Sequence, residues 1–108
     1  MYRRGDVVVC VLSGDYGKPR PAVVVQSDLF TPTHASITVC PITTHLIDAP
    51  LFRLSLESSS QNRLRTLSQI MVDKISTLKV EKIRQKIGTL TQEQCKELNT
   101  ALKLWLDL

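Results

Sequence analysis

Asp6-Val7-Val8-Val9-Cys10-Val11-Leu12 is apolar at every position after its first residue. Its β-branched side chains favour extended backbone. A half-buried strand alternates apolar with polar residues, and this run does not. It predicts a strand covered on both faces, inside a sheet or a closed barrel. Residues 13–19, Ser-Gly-Asp-Tyr-Gly-Lys-Pro, form a turn-rich loop. A second strand is expected over residues 21–27 around Ala22-Val23-Val24-Val25, and a third over 36–42. Between them lies a loop over 28–35 containing Thr31-Pro32-Thr33.

Further along, Phe52, Leu54 and Leu56 take one face of a strand, while Arg53, Ser55 and Glu57 take the other. Ser58-Ser59-Ser60-Gln61-Asn62 reads as a polar connector, and residues 69–75 as another strand. A short helical turn is expected over 79–83 and a strand near 86–90. Thr91-Gln92-Glu93-Gln94 has the capping-box pattern that opens a helix. Cys95, Leu98, Leu102 and Trp105 then recur at helical spacing, widened by Ala101 and Leu106. Several short strands with one late helix predict a mainly β fold with some α, a compact and partly open barrel carrying helical additions. No nucleotide-binding glycine fingerprint occurs.

The 108 residues predict a single domain, 1–108. A hydrophobic fraction of 43% fits a globular chain rather than a disordered one. No apolar run approaches the roughly 18–20 residues that span a bilayer. The apolar stretch near the N-terminus is too short for a secretory signal, so a cytoplasmic protein with no membrane partner is expected. Cys10, Cys40 and Cys95 are odd in number and show no C-x-x-C spacing. That argues against a disulfide framework and a zinc site, and predicts reduced thiols and no metal. The net charge of +4 is a mild bias toward anionic partners and proves nothing alone.

Three segments, taken in order, resemble the MazF/PemK toxin family. They are Arg4-Gly5-Asp6-Val7-Val8; Gly17-Lys18-Pro19-Arg20-Pro21 with the following strand to Asp28; and Ser68-Gln69-Ile70-Met71-Val72-Asp73-Lys74-Ile75. Pro41-Ile42-Thr43-Thr44 looks like the family's I-T strand end, and Ile87-Gly88-Thr89-Leu90 with the terminal helix like its closing element. Each motif is modest alone; the ordered set covers nearly the whole chain. The resemblance implies an SH3-like β-barrel of the MazF/CcdB type with short helices and a C-terminal helix. It also implies a homodimer and an endoribonuclease that cuts single-stranded RNA, messenger RNA being the expected target, without metal or other cofactor. A cognate antitoxin is the implied inhibitor.

RNA carries its own nucleophile, the 2′-hydroxyl. A protein that uses it must orient that group, remove its proton, stabilise the charged phosphorane and let the 5′-oxygen leave. Arg20 lies between two prolines that stiffen the backbone, and its guanidinium fork matches a phosphate. In the resemblance it corresponds to the family's catalytic arginine, and Thr43 to its active-site threonine, a donor without competing charge. Asp73 is the third expected catalytic residue, a carboxylate for the 2′-hydroxyl. Lys18, Thr44, His45, Arg65, Gln69 and Lys74 are the expected RNA contacts, with Tyr16 and Phe30 as stacking aromatics. The sequence departs from many relatives at Met71, where an arginine commonly follows Gln69-Ile70. Any cation supplied there must come from elsewhere.

Two rival readings share the barrel. One is a gyrase poison of the CcdB type, the other an inactive relative that binds RNA or antitoxin. Gly17-Lys18-Pro19-Arg20-Pro21 together with Ile42-Thr43 favours the ribonuclease over the first; Met71 keeps the second open.

Overall fold

The computed structural model describes residues 1–108. Seven strands run β1 (Asp6–Val11), β2 (Pro19–Val24), β3 (Ser36–Thr43), β4 (Arg53–Leu56), β5 (Ser68–Met71), β6 (Ser76–Lys79) and β7 (Ile83–Thr89). One helix, α1 (Gln92–Leu106), closes the chain. Short 3-10 turns at Val72–Lys74 and Val80–Lys82 flank β6.

All pairings are antiparallel, in the order β4-β5-β3-β2-β1-β7. β3 carries two partners in succession along one edge. Its first half, Ser36–Val39, pairs with β6, and its end, Ile42 and Thr43, pairs with β5. A strand shared this way bends the sheet round on itself, as the predicted barrel-like fold requires.

The central strands separate two cores. Val7, Val23, Cys40 and Ile42 face Leu56, Ile70, Val72, Leu98 and Leu102 on one side. Val8, Cys10, Ala22, Val24, Ile37, Val39 and Ile83 pack together on the other. This is why β1 is apolar at successive positions: Val7 enters one core and Val8 the other. The helix begins as its sequence dictates. Thr91 Oγ1 accepts from the Gln94 backbone N–H (3.1 Å), and Gln94 Oε1 accepts from the Thr91 N–H (2.9 Å). Leu98 and Leu102 are buried against the sheet, while Trp105 stays half-exposed with its ring 5.7 Å from that of Phe52.

One predicted strand is corrected. Residues 69–75 do not run on as a single strand: extension stops at Met71, and the chain turns through Val72–Lys74 into β6. The cause is tertiary. Ser76 pairs with Val39 and Lys79 with Ser36, so the chain must cross from one half of β3 to the other. The expected turn over 79–83 is present as Val80–Lys82, and the last strand begins earlier, at Ile83.

Candidate active site

β1 and β2 form a hairpin in which Cys10 faces Arg20 and Val11 faces Pro19, leaving residues 12–18 as its loop. On the other side, β2 pairs with β3 only as far as Ala22 opposite Pro41. Two residues further along each strand stand Arg20 and Thr43. The strand period of two puts them on the same face as Ala22 and Pro41. Pro21 has no N–H to carry the ladder onward. The strands part here, and a hollow of about 420 Å³ opens between them at the rim of the sheet.

Arg20, Thr43, Thr44, His45 and Met71 line this hollow, together with Asp15 from the hairpin loop. Leu12, Pro21, Pro41 and Ile42 complete its walls. Asp15 Oδ1 lies 3.8 Å from Arg20 Nε, and about half of the Arg20 side chain remains open to solvent. The cation is therefore steered by a carboxylate without being buried by it. Thr43 Oγ1 accepts a hydrogen bond from the His45 backbone N–H at 3.0 Å, so its own hydrogen is free to donate elsewhere. Cys10, behind Arg20, is fully buried. Burial, reinforced by the Asp15 charge, pushes its thiol up to about 11. It is a protonated neighbour of the site rather than a nucleophile.

The other expected residues fall in three groups. Arg65 lies next door, where Arg63, Arg65, Thr66, Ser68 and Gln85 line a hollow of about 520 Å³. Pro21 and Thr44 stand at the rim of both hollows. Lys18 and Lys74 are exposed and line neither; the Lys18 N–H donates to the Asp15 carbonyl at 2.9 Å, fixing the loop. Tyr16 is fully exposed at the hairpin tip, with a left-handed φ of 53°. Phe30 sits half-exposed against His34, on neither hollow.

Gln69 and Asp73 depart from expectation. Gln69 is buried, and its amide is occupied: Nε2 donates to the Ile47 carbonyl (2.9 Å), and Oε1 accepts from the Ile47 N–H (3.2 Å) and Arg53 Nη1 (2.9 Å). It holds the segment after β3 instead of facing RNA. Asp73 is set apart from Arg20 and Thr43 because the 3-10 turn carries it past the end of β5. Its Oδ1 is buried without a hydrogen-bond partner. Its charge acts instead on Cys40, whose thiol burial pushes up to about 12, Arg4 opposing and Asp73 adding to the rise. Cys40 points into the core beside the helix, whereas Thr43 projects from the other face of β3. Asp73 does not line the hollow that holds Arg20 and Thr43; the carboxylate beside Arg20 is Asp15. Sequence reading missed it because Ser13-Gly14-Asp15-Tyr16-Gly17 has the composition of any turn. The available signal was its place at the apex of a hairpin that carries Arg20 on its second strand.

A bent antiparallel sheet closed by one helix places the chain among small barrel-like proteins. The chain belongs to the PemK-like, MazF-like toxin family of type II toxin–antitoxin systems, whose model matches residues 3–106. It is 37% identical over 107 residues to the "Probable endoribonuclease MazF" of Mycolicibacterium smegmatis, covering 98% of this chain and 97% of that one. It is 30% identical over 112 residues to the endoribonuclease MazF of Staphylococcus saprophyticus, covering 100% and 93%. Among solved structures, a mycobacterial endoribonuclease in complex with its cognate antitoxin superposes with a TM-score of 0.84 at 23% identity, covering 100% and 97%. MazF of Deinococcus radiodurans gives 0.82 at 17% identity, covering 99% and 97%. At these identities the solved structures establish the shared fold.

Proposed function

We propose that this toxin is an endoribonuclease that cuts single-stranded RNA at a preferred short sequence by 2′-hydroxyl attack, with no metal in the reaction. The observation that carries the reading is the convergence of Arg20, Thr43 and Asp15 on one open hollow at the sheet rim.

A phosphodiester laid across this hollow meets the Arg20 guanidinium and the Thr43 hydroxyl as donors to its non-bridging oxygens. Asp15 accepts the 2′-proton as the 2′-oxygen bonds to phosphorus. The bond from phosphorus to the 5′-oxygen then breaks, and that oxygen takes a proton from His45 or solvent. The products are a 2′,3′-cyclic phosphate and a 5′-hydroxyl. Thr44, at the rim of both hollows, with Arg63 and Arg65 in the neighbouring one, holds the flanking phosphates. Met71 supplies an uncharged wall, so the cation falls to Arg20 and the neighbouring Arg63–Arg65 pair.

The working unit in this reading is a homodimer in the cytoplasm, with messenger RNA as target and a cognate antitoxin as inhibitor. No helix of the chain is long and apolar enough to cross a membrane. Leu104, Trp105, Leu106 and Leu108 remain exposed at the end of α1, as a face covered by another chain requires.

The test is cleavage of a long single-stranded RNA in EDTA by wild type, Arg20→Ala and Thr43→Ala. Discrete fragments with 5′-hydroxyl ends, lost in both variants, are the expected result. Intact RNA with folded wild-type protein would overturn the reading, and supercoiling by gyrase would be assayed next.

A further inference from the structure

Arg53 lines neither of these two hollows, yet its guanidinium reaches the segment that bears Thr44 and His45. Nη1 donates to the His45 carbonyl at 3.0 Å and to Gln69 Oε1 at 2.9 Å. Gln69 in turn grips both backbone groups of Ile47. One cation and one buried amide therefore fix residues 45 and 47 of the stretch that leaves β3. This arrangement has a cost: Arg53 Nε is buried with no acceptor.

The same His45 residue acts at both ends. Its carbonyl is held by Arg53, and its N–H donates to Thr43 Oγ1 at 3.0 Å. The bond into Oγ1 sets the threonine rotamer and occupies a lone pair, leaving the hydroxyl hydrogen to donate into the hollow. A free threonine would share its time among rotamers and among acceptors of its own backbone. The chain of contacts runs from Arg53 through His45 to the hydroxyl that faces substrate.

We propose that Arg53 is a positioning residue for RNA cleavage, acting through His45 on the Thr43 hydroxyl. This rests on the ribonuclease reading above. Arg53 touches no substrate; it presents the donor in the geometry that the transition state needs, with Gln69 as its brace. Misplacement of a catalytic group lowers the chemical step more than it lowers substrate affinity.

The experiment uses an RNA oligonucleotide containing a cleavage site mapped with wild type, under single-turnover conditions. Affinity is measured with the same oligonucleotide carrying a 2′-O-methyl group at the scissile position. Arg53→Ala is expected to slow cleavage by about 10- to 100-fold while affinity stays within about threefold. Hydrogen exchange at the His45 and Ile47 amides should accelerate in the same variant, with the core amides of β1–β3 unchanged. If Arg53→Ala does not fold, Arg53→Lys takes its place; it keeps a cation beside Gln69 but not the planar fork, and a smaller loss of rate with the same affinity is expected. An unchanged cleavage rate, a loss confined to affinity, or unchanged exchange at His45 would overturn the proposal. Failure of wild type to cleave any RNA would instead strike the ribonuclease reading, and this inference with it.

Discussion

Asp15 at the apex of the first hairpin holds its carboxylate 3.8 Å from Nε of Arg20, the residue that β1 and β2 pairing sets opposite Cys10. The separation is loose for an ion pair, and both side chains keep contact with solvent. Such a pair stabilises the fold by little, on the order of 0–1 kcal/mol. Its consequence is placement: a carboxylate and a cation share one hollow without neutralising each other by burial. Asp15→Asn is therefore expected to leave the melting temperature almost unchanged and to lower the cleavage rate by about 10²-fold. Asp73→Asn, outside the hollow, should stay within about threefold of wild type, since it alters no group that meets substrate. Parallel rate measurements on the two variants decide between the carboxylates, and the reverse order would restore Asp73 as the base.

In the proposed mechanism Arg20 and Thr43 meet the phosphate from neighbouring strands, β2 and β3. Removing a donor from a developing charge typically costs about 10²–10³ in rate. Arg20→Ala and Thr43→Ala should each lose at least that much. Arg20→Lys retains charge but not the fork, and is expected to recover only part of the loss. Thr43→Ser keeps the hydroxyl that accepts from His45 and should remain within about tenfold of wild type. Single-turnover rates across the four variants check the order; a fully active Thr43→Ala would remove the threonine from the chemistry.

How far the sequence alone reaches differs from residue to residue, for physical reasons. β1 was legible because a strand between two cores must be apolar on both faces, and Val7 and Val8 take one core each. The helix start was legible because Thr91 and Gln94 satisfy each other's backbone groups locally. The break at Met71 was not: no glycine or proline marks it, and the turn exists only because β6 must reach the first half of β3. That hidden turn is also what displaced Asp73. Gln69 sits in a strand of mixed pattern, and nothing local tells that its amide is spent on Ile47, 22 residues earlier. Arg20 and Thr43 were named by motif, but their meeting depends on where β2 and β3 stop pairing.

The seam between β7 and the connector after β4 offers a stability test. A Cβ at Gly88 would collide with the Gln61 carbonyl oxygen and lie 2.7 Å from Asn62 backbone atoms. Those are backbone neighbours, unable to rotate aside. Asn62 locks them in place, with Nδ2 donating to the Glu57 carbonyl at 2.9 Å and Oδ1 accepting from the Ser59 and Leu64 N–H groups. Gly88→Ala is expected to destabilise the fold by about 1–3 kcal/mol or more, the range for forced overpacking. Asn62→Ala removes a fully buried side chain and its hydrogen bonds to partly buried backbone groups, and should also destabilise the fold by about 1–3 kcal/mol. Chemical denaturation of both variants measures this. A Gly88→Ala protein as stable as wild type would show that the connector is free to lift.

Alkaline stability follows from the two buried thiols. Cys10 is raised from 9.0 to about 11 and Cys40 to about 12, in each case chiefly by burial. Both bind their protons more tightly folded than unfolded. Below pH 9 the thiols are protonated in both states and impose no penalty. As pH climbs past 9 the unfolded chain releases protons that the folded chain retains, so stability falls until the folded thiols also titrate, near 11 and 12. Unfolding free energy measured between pH 8 and 10.5 should therefore decline, and the decline should flatten in Cys10→Ala/Cys40→Ala relative to wild type. The double variant will be less stable at pH 8 through lost packing, so the slope against pH, not the absolute value, is the readout. Alkylation by iodoacetamide at pH 8 should label Cys95, which is only half-buried, well before Cys10 or Cys40. Labelling of Cys10 ahead of Cys95 would show that the floor beneath Arg20 opens in solution.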